Sequence, residues 1–333
     1  MSARPRTIEP VELHKAKGIL DEISGAFSKR IVGQEQLRTS LLVAMMAEGH
    51  ILLESVPGLA KTLAASTLAK AIRADFARIQ CTPDLLPSDI IGTQVYDPRN
   101  HEFETQLGPV HANFVLLDEI NRASAKTQSA MLEAMQERQT SIAGVIHPLP
   151  TPFMVLATQN PIEEEGTYVL PQAQMDRFLL KEVVEYPSDT EELEVLDRYD
   201  SGALGTGSTV ASVVTPEQVG YLQRLVERVY VDPVIKRYIV ALVHATRETE
   251  KVLGPEQGRF VEIGASPRGT IAFYQVARAL AVLAGRNHVI PEDVRHLRHS
   301  ILRHRIHLNF EALAERVRPE MVIDSVFAAV PSP

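Results

Sequence analysis

Three short stretches combine residue types that handle phosphate chemistry. His50-Ile-Leu-Leu-Glu-Ser-Val-Pro-Gly-Leu-Ala-Lys-Thr62 runs from an apolar segment, through small and turn-forming residues, into Lys-Thr at the head of an alanine- and leucine-rich segment. A loop entering a helix aims backbone N–H groups at an anion, a lysine adds a point charge, and a hydroxyl reaches Mg²⁺. Ser55, Val56, Pro57, Gly58, Leu59 and Ala60 form the candidate phosphate loop, and Lys61, Thr62 and Leu63 open the helix. Asn113-Phe-Val-Leu-Leu-Asp-Glu119 ends an apolar run in adjacent carboxylates. Asp118 is placed to hold the Mg²⁺ shell, and Glu119 to polarise an attacking water. Phe153-Met-Val-Leu-Ala157 is a third apolar run, and Thr158-Gln-Asn160 sets a polar side chain at its end.

Each stretch has a plainer reading. A turn before an amphipathic helix explains residues 55–63 alone, and a strand running into a polar turn explains 113–119 alone. Together, with a span between them suited to two intervening units, they favour a nucleotide site. The loop departs from G-x-x-x-x-G-K-[ST]: Ser55 and Ala60 stand where the glycines belong, and Pro57 lacks an N–H. If position 55 needs a positive φ, Ser55 is strained by about 1 kcal/mol, which would weaken nucleotide binding.

The elements that must hold these residues follow from the patterning. Continuous apolarity without alternation suits strands buried on both faces of a parallel sheet, whose ligands sit at the strands' carboxyl ends. Thr93–Tyr96 and Glu102–Thr105 read as a hairpin, an insertion near residues 85–110, and a second hairpin around Gly144 falls near 140–149. Ser124 reads as a helix cap, and Ser188-Asp-Thr-Glu191 and Thr215-Pro-Glu-Gln218 as capping boxes. No convincing strand run follows residue 187, and Gly202–Ser208 reads as a flexible connector. The division is an α/β nucleotide-binding domain over 1–187, a connector over 188–214 and a helical domain over 215–333.

Bulk properties narrow the classes. A chain of 333 residues with 45% hydrophobic residues has room for a sizeable core. A net charge of −8 argues against nucleic-acid binding through bulk charge. Cys81 is the sole cysteine, so no intrachain disulfide forms; a small buried residue in a reducing compartment is expected. No signal-peptide h-region or membrane-length apolar run is visible, so no membrane insertion and a cytoplasmic location are expected. The basic, His-rich stretch from Arg295 to His307 reads as a solvated or subunit-facing surface, and Glu163–Glu165 as an exposed loop.

Ser55–Thr62, Leu116-Leu-Asp-Glu-Ile-Asn-Arg122, Ala157-Thr-Gln-Asn-Pro161, Gly166–Phe178 and Ala265-Ser-Pro-Arg-Gly269, in this order, resemble the MoxR family of AAA+ ATPases over about Ile31 to Leu308. The resemblance implies a P-loop core with a five-stranded parallel sheet, an all-helical lid, and ATP with Mg²⁺ at the interfaces of a homo-oligomer, usually a hexameric ring. It implies chaperone-like remodelling or maturation of partner proteins, often ones with von Willebrand factor A domains. It makes Asn160 resemble sensor 1, Arg177 an arginine finger and Arg268 sensor 2, and it sets Gly33-Gln34 near the adenine. It likens the two hairpins to the helix-2 insert and the pre-sensor-1 hairpin. A nucleic-acid motor of the same clade, or an ATP-binding scaffold that hydrolyses poorly because of Ser55, are the competing readings. Arg177 paired simply with Asp176, and Arg268 as an ordinary surface residue, are the plainer alternatives at those positions.

Overall fold

The computed structural model describes residues 7–56, 58–160, 168, 170–202 and 212–333. Strands β1 (Ile51–Glu54), β2 (Phe76–Gln80), β3 (Gly92–Asp97), β4 (Glu102–Leu107), β5 (Phe114–Asp118), β6 (Gln139–Ile142), β7 (Val145–Pro148), β8 (Met154–Gln159) and β9 (Leu180–Val183) precede the main run of helices. A five-stranded parallel sheet has the order β2-β5-β8-β1-β9.

Burial follows the sequence pattern. Every residue of β5 is buried, as are Ile51–Leu53 of β1 and Met154–Thr158 of β8. These central strands carry the apolar runs because helices cover both faces of a parallel sheet. The edge strands β2 and β9 carry charge, as in Phe76-Ala-Arg-Ile-Gln80 and Leu180-Lys-Glu-Val183. Glu182 is buried nevertheless, and accepts a hydrogen bond of 2.7 Å from the Ser40 hydroxyl.

β3 and β4 pair antiparallel from Gly92↔Leu107 to Asp97↔Glu102, and β6 pairs with β7 from Gln139↔Pro148 to Ile142↔Val145. Both hairpins therefore form where the turn residues place them. Ser124 caps the helix Ala125–Glu137, and Ser188 and Glu191 form the expected capping box.

By internal contacts the chain divides into two compact units. An α/β unit comprises 19–170 and 182–221; a helical unit comprises residues up to Gly18, 171–181 and 222–333. The short segment 171–181 thus clusters with the late helices, although its motif continues from the sheet. The helical unit also holds a small antiparallel pair, β10 (Val261–Ile263) and β11 (His307–Leu308), too short to show as a sequence period. Its core includes Leu242, Phe273, Val276 and Ile323, with the rings of Phe273 and Phe327 at 6.0 Å.

The His-rich stretch departs from the expected solvated surface. His304 and Arg305 are buried, because Arg305 pairs with Asp176 and His304 bonds the Phe178 carbonyl. Burial pushes the His304 pKa well below its usual value. The Glu163–Glu165 loop and residues 203–208 of the proposed connector lie outside the described residues.

His50 locks the start of β1. Its Nδ1 accepts the Val155 N–H at 3.0 Å, and its Nε2 donates to the Met135 carbonyl at 3.1 Å. Burial lowers its pKa from 6.5 to about 4, so the folded protein holds it neutral where an unfolded chain would protonate it. The unfolded state then binds more protons between those two values, and stability falls as pH drops from 6.5 towards 4. At pH 5, 1.5 pH units below 6.5, the loss from His50 alone is expected to be about 2 kcal/mol. Urea denaturation at pH 7.5 and pH 5 measures it; equal stabilities would show that His50 protonates in the fold without cost.

Candidate active site

The sheet register brings the chemical residues to one edge. Glu54 of β1 lies opposite Gln159 of β8, the Ser55 N–H continues the ladder to the Gln159 carbonyl at 3.2 Å, and Asp118 of β5 lies opposite Gln80 of β2. Ser55, Asn160 and Glu119 are therefore the first residues beyond three neighbouring strands. Lys61 and Thr62 start the helix Lys61–Ala71, and the Lys61 Nζ donates to the Ser55 carbonyl at 3.2 Å.

The loop corrects one expectation. Ser55 does not have a positive φ: it is buried, and its hydroxyl donates to the Val56 carbonyl at 3.1 Å. The left-handed residues are Gly58, at φ 91°, and Ala60, at φ 55° and ψ 19°. The turn into the helix is made at position 60, so the missing glycine matters there and not at 55. Pro57, expected in the phosphate loop, lies outside the described residues.

Gly58, Leu59, Ala60 and Leu63 line a cavity of about 670 Å³ together with Val32 and Gln34. Gln34 sits at φ 54°, and its amide donates to the Glu185 carbonyl at 3.1 Å. Gly33 is at φ 61°, and a Cβ there would fall 1.8 Å from Glu191 Oε1. Glu191 is fixed by Ser188, whose N–H and hydroxyl donate to Oε2 at 2.7 and 2.8 Å. Position 33 thus favours glycine for its backbone, and a Cβ there would also displace the Glu191 carboxylate. Tyr186, Val195 and Leu196 add apolar wall that no motif announced.

Asp118 and Glu119 are held by a network. Thr158 Oγ1 donates to Asp118 Oδ1 at 2.8 Å and accepts the Glu119 N–H at 2.8 Å. Arg78 Nε donates to Asp118 Oδ2 at 3.1 Å, and its Nη2 reaches the same oxygen. Gln80 Nε2 and Arg122 Nη1 donate to Glu119 Oε2 at 3.2 and 3.3 Å. Sequence reasoning missed Arg78 and Gln80. Their spacing of two residues on a strand puts them on one face, but does not say which neighbour they meet. Cys81 is buried beside this pair. Burial first, then the two carboxylates, push its thiol up to about 12, which leaves it unreactive.

The donor set suits a hydrated divalent cation. Thr62 and Asp118 offer hard oxygen ligands, and Gln159 Oε1 is a buried acceptor without a partner among the described residues. Asn160 is buried at 5% exposure. Arg177 and Arg268 belong to the helical unit. Asp176 is taken by Arg305 and Ser266, so it does not neutralise Arg177. The Arg177 Nε is buried without a partner among the described residues, and Arg268 is exposed in the first turn of the helix Pro267–Leu283.

A phosphate loop after β1, an acidic pair after β5 and a polar residue after β8 define a P-loop nucleotide hydrolase. Residues 50–180 match the ATPase family associated with various cellular activities (AAA), and residues 257–326 match the AAA lid domain. The chain is 46% identical over 322 residues to Chaperone MoxR1 of Mycobacterium tuberculosis, covering 97% of this chain and 83% of that one. It is 45% identical to YeaC of Bacillus subtilis, covering 91% of each, and 30% identical to Protein MoxR of Methylorubrum extorquens, covering 92% and 93%. A crystal structure from Cytophaga hutchinsonii superposes with a TM-score of 0.90 at 41% identity, covering 97% of both chains. The chain belongs to the MoxR family of AAA+ ATPases. It is accordingly an ATP-hydrolysing enzyme, and no helix among the described residues is long and apolar enough to cross a membrane.

The backbone at 55 and 60 separates two substitutions. Ala60→Gly is expected to relieve a left-handed alanine and raise stability by about 1 kcal/mol. Ser55→Gly relieves nothing and should lower stability by about 0.5–1 kcal/mol, with ATP affinity unchanged. Urea midpoints and equilibrium binding of a fluorescent ATP analogue check both; tighter binding by Ser55→Gly would place the strain back at position 55.

Proposed function

We infer that ATP is bound by the loop Ser55–Ala60 with Lys61, Thr62 and Leu63, and is hydrolysed at the edge formed by Asp118, Glu119 and Asn160. The observation that carries this reading is the arrival of these groups at the carboxyl ends of the adjacent strands β1, β8 and β5. Lys61 supplies positive charge to the phosphates. Thr62 and Asp118 would hold Mg²⁺, whose charge stabilises the phosphates when bound. Glu119 orients and polarises the attacking water, and Asn160 positions that water and reads the terminal phosphate. Gly33 and Gln34 bound the adenine end of the cavity. Arg268 contacts phosphate as sensor 2, and Arg177 reaches the nucleotide of a neighbouring subunit as an arginine finger.

The second action at this reading is mechanical. Turnover in a homo-oligomeric ring, hexameric by family resemblance, remodels or matures a client protein, with von Willebrand factor A domain proteins as the expected clients. The naming of MoxR1 as a chaperone supports this. The cytoplasm is the proposed compartment, which a fold with a single buried thiol accords with.

Glu119→Gln is expected to keep ATP binding and lower turnover by about 10²-fold or more, because the carboxylate base is lost while Asp118 remains. Binding of a fluorescent analogue and phosphate release measure the two separately; wild-type turnover would remove Glu119 from the mechanism. Arg177→Ala alone should bind ATP and scarcely hydrolyse it, and Lys61→Ala should do neither. Mixed rings pair an intact loop from one variant with an intact Arg177 from the other, so part of the activity should return. Mixed rings that form without activity would exclude action across the interface.

A further inference from the structure

One buried charged cluster in the helical unit has no part in the chemistry above. Arg305, with a side chain 2% exposed, donates from Nε to Asp176 Oδ1 at 2.8 Å. Its Nη atoms donate to the carbonyls of Phe178 at 2.7 Å, Leu179 at 3.2 Å and Ile301. Asp176 Oδ2 accepts the Ser266 hydroxyl at 2.6 Å. The Ser266 Oγ in turn accepts the Arg268 N–H at 3.0 Å, capping the helix that carries Arg268. The Arg305 stem passes Gly269, where a Cβ would sit 3.4 Å from its Cδ.

These bonds converge on the residues flanking the two candidate phosphate-binding cations. Asp176 and Phe178 on either side of Arg177 are tied to Arg305, and Ser266 before Arg268 is tied to Asp176. Arg177 has a buried Nε without a partner among the described residues, and the residues on both sides of it are anchored. A buried guanidinium keeps its place only if its donors are met, and here one carboxylate and several carbonyls meet them. Asp176 is the shared member, with one oxygen on each side of the link.

We propose that Asp176 is a positioning residue that clamps the Arg177 segment to the start of the Arg268 helix, so that the two cations are presented to nucleotide phosphates as one body. The proposal rests on the roles given above to Arg177 and Arg268. Under it, neither arginine is steered separately: loosening the clamp misplaces both, and none of its members belongs to the loop that binds ATP.

The test uses the full-length protein and reads kcat, KM for ATP, binding of a fluorescent ATP analogue and the thermal midpoint. Ser266→Ala cuts the link to Asp176 and leaves the Arg305 pair intact, whereas Ser266→Thr keeps the hydroxyl. Ser266→Ala should lower kcat by roughly tenfold or more, since small misplacements of charged groups are costly in rate. KM and analogue affinity should stay within about twofold, and Ser266→Thr should retain wild-type kcat. In an Arg177→Ala/Arg268→Ala background, Ser266→Ala should give no further loss, because the groups it positions are gone. A folded Ser266→Ala enzyme with wild-type kcat overturns the clamp, as does a loss that persists undiminished in that background. Asp176→Asn adds a second cut where it folds. If Arg177→Ala and Arg268→Ala themselves keep wild-type turnover, the assignment of those cations fails and the clamp with it. If they lose turnover while Ser266→Ala does not, the clamp alone fails.

Discussion

The site depends on the pairing of three strands whose apolar runs are buried. Inside the sheet, every backbone N–H and C=O of β1, β5 and β8 must find a partner, and side chains must be apolar. Polar side chains enter only at the carboxyl ends of these strands and in the residues that follow them. The register places those positions side by side: Ser55 after Glu54, Glu119 after Asp118, and Asn160 after Gln159. Site geometry is thus a by-product of where burial stops, and a register slip of one residue would dismantle both the core and the site.

Within that frame, the acidic pair is shaped by electrostatics from the edge strand. Asp118 accepts from Arg78 on one oxygen and from Thr158 on the other, and Glu119 accepts from Gln80 and Arg122. Adjacent carboxylates repel, and these donors offset that repulsion while fixing two different directions. Thr158 serves both residues at once, taking the Glu119 N–H and giving its proton to Asp118.

The parts of the fold most legible in the sequence were those written in continuous apolarity or in capping chemistry. The runs at 51–53, 114–117 and 153–157, the capping boxes and both hairpins gave themselves away because their signals are local. Long-range partners did not. Nothing in Arg78-Ile-Gln80 says that it faces the acidic pair, and nothing in Arg303-His-Arg-Ile306 says that its polar members His304 and Arg305 are buried. Ser55 and Ala60 both break the motif, yet the strain was sought at Ser55 and the left-handed turn falls on Ala60. Motif positions name residues, whereas dihedral angles belong to the path of the chain. Likewise, the grouping of 171–181 with the late helices goes with bonds between residues far apart in sequence, such as Asp176 to Arg305 and Phe178 to His304.

Glu119 itself sits in the left-handed region, at φ 57° and ψ 54°. A residue with a side chain there carries a standing conformational cost of about 1–2 kcal/mol relative to glycine. The turn is what swings the carboxylate away from Asp118 immediately after the strand ends. Protein engineering that ranks variants by heat resistance alone would therefore favour glycine at this position, and under the role proposed for Glu119 it would select an enzyme that is sturdier and inert. On that role, libraries aimed at hardening this scaffold should hold the codon for position 119 fixed.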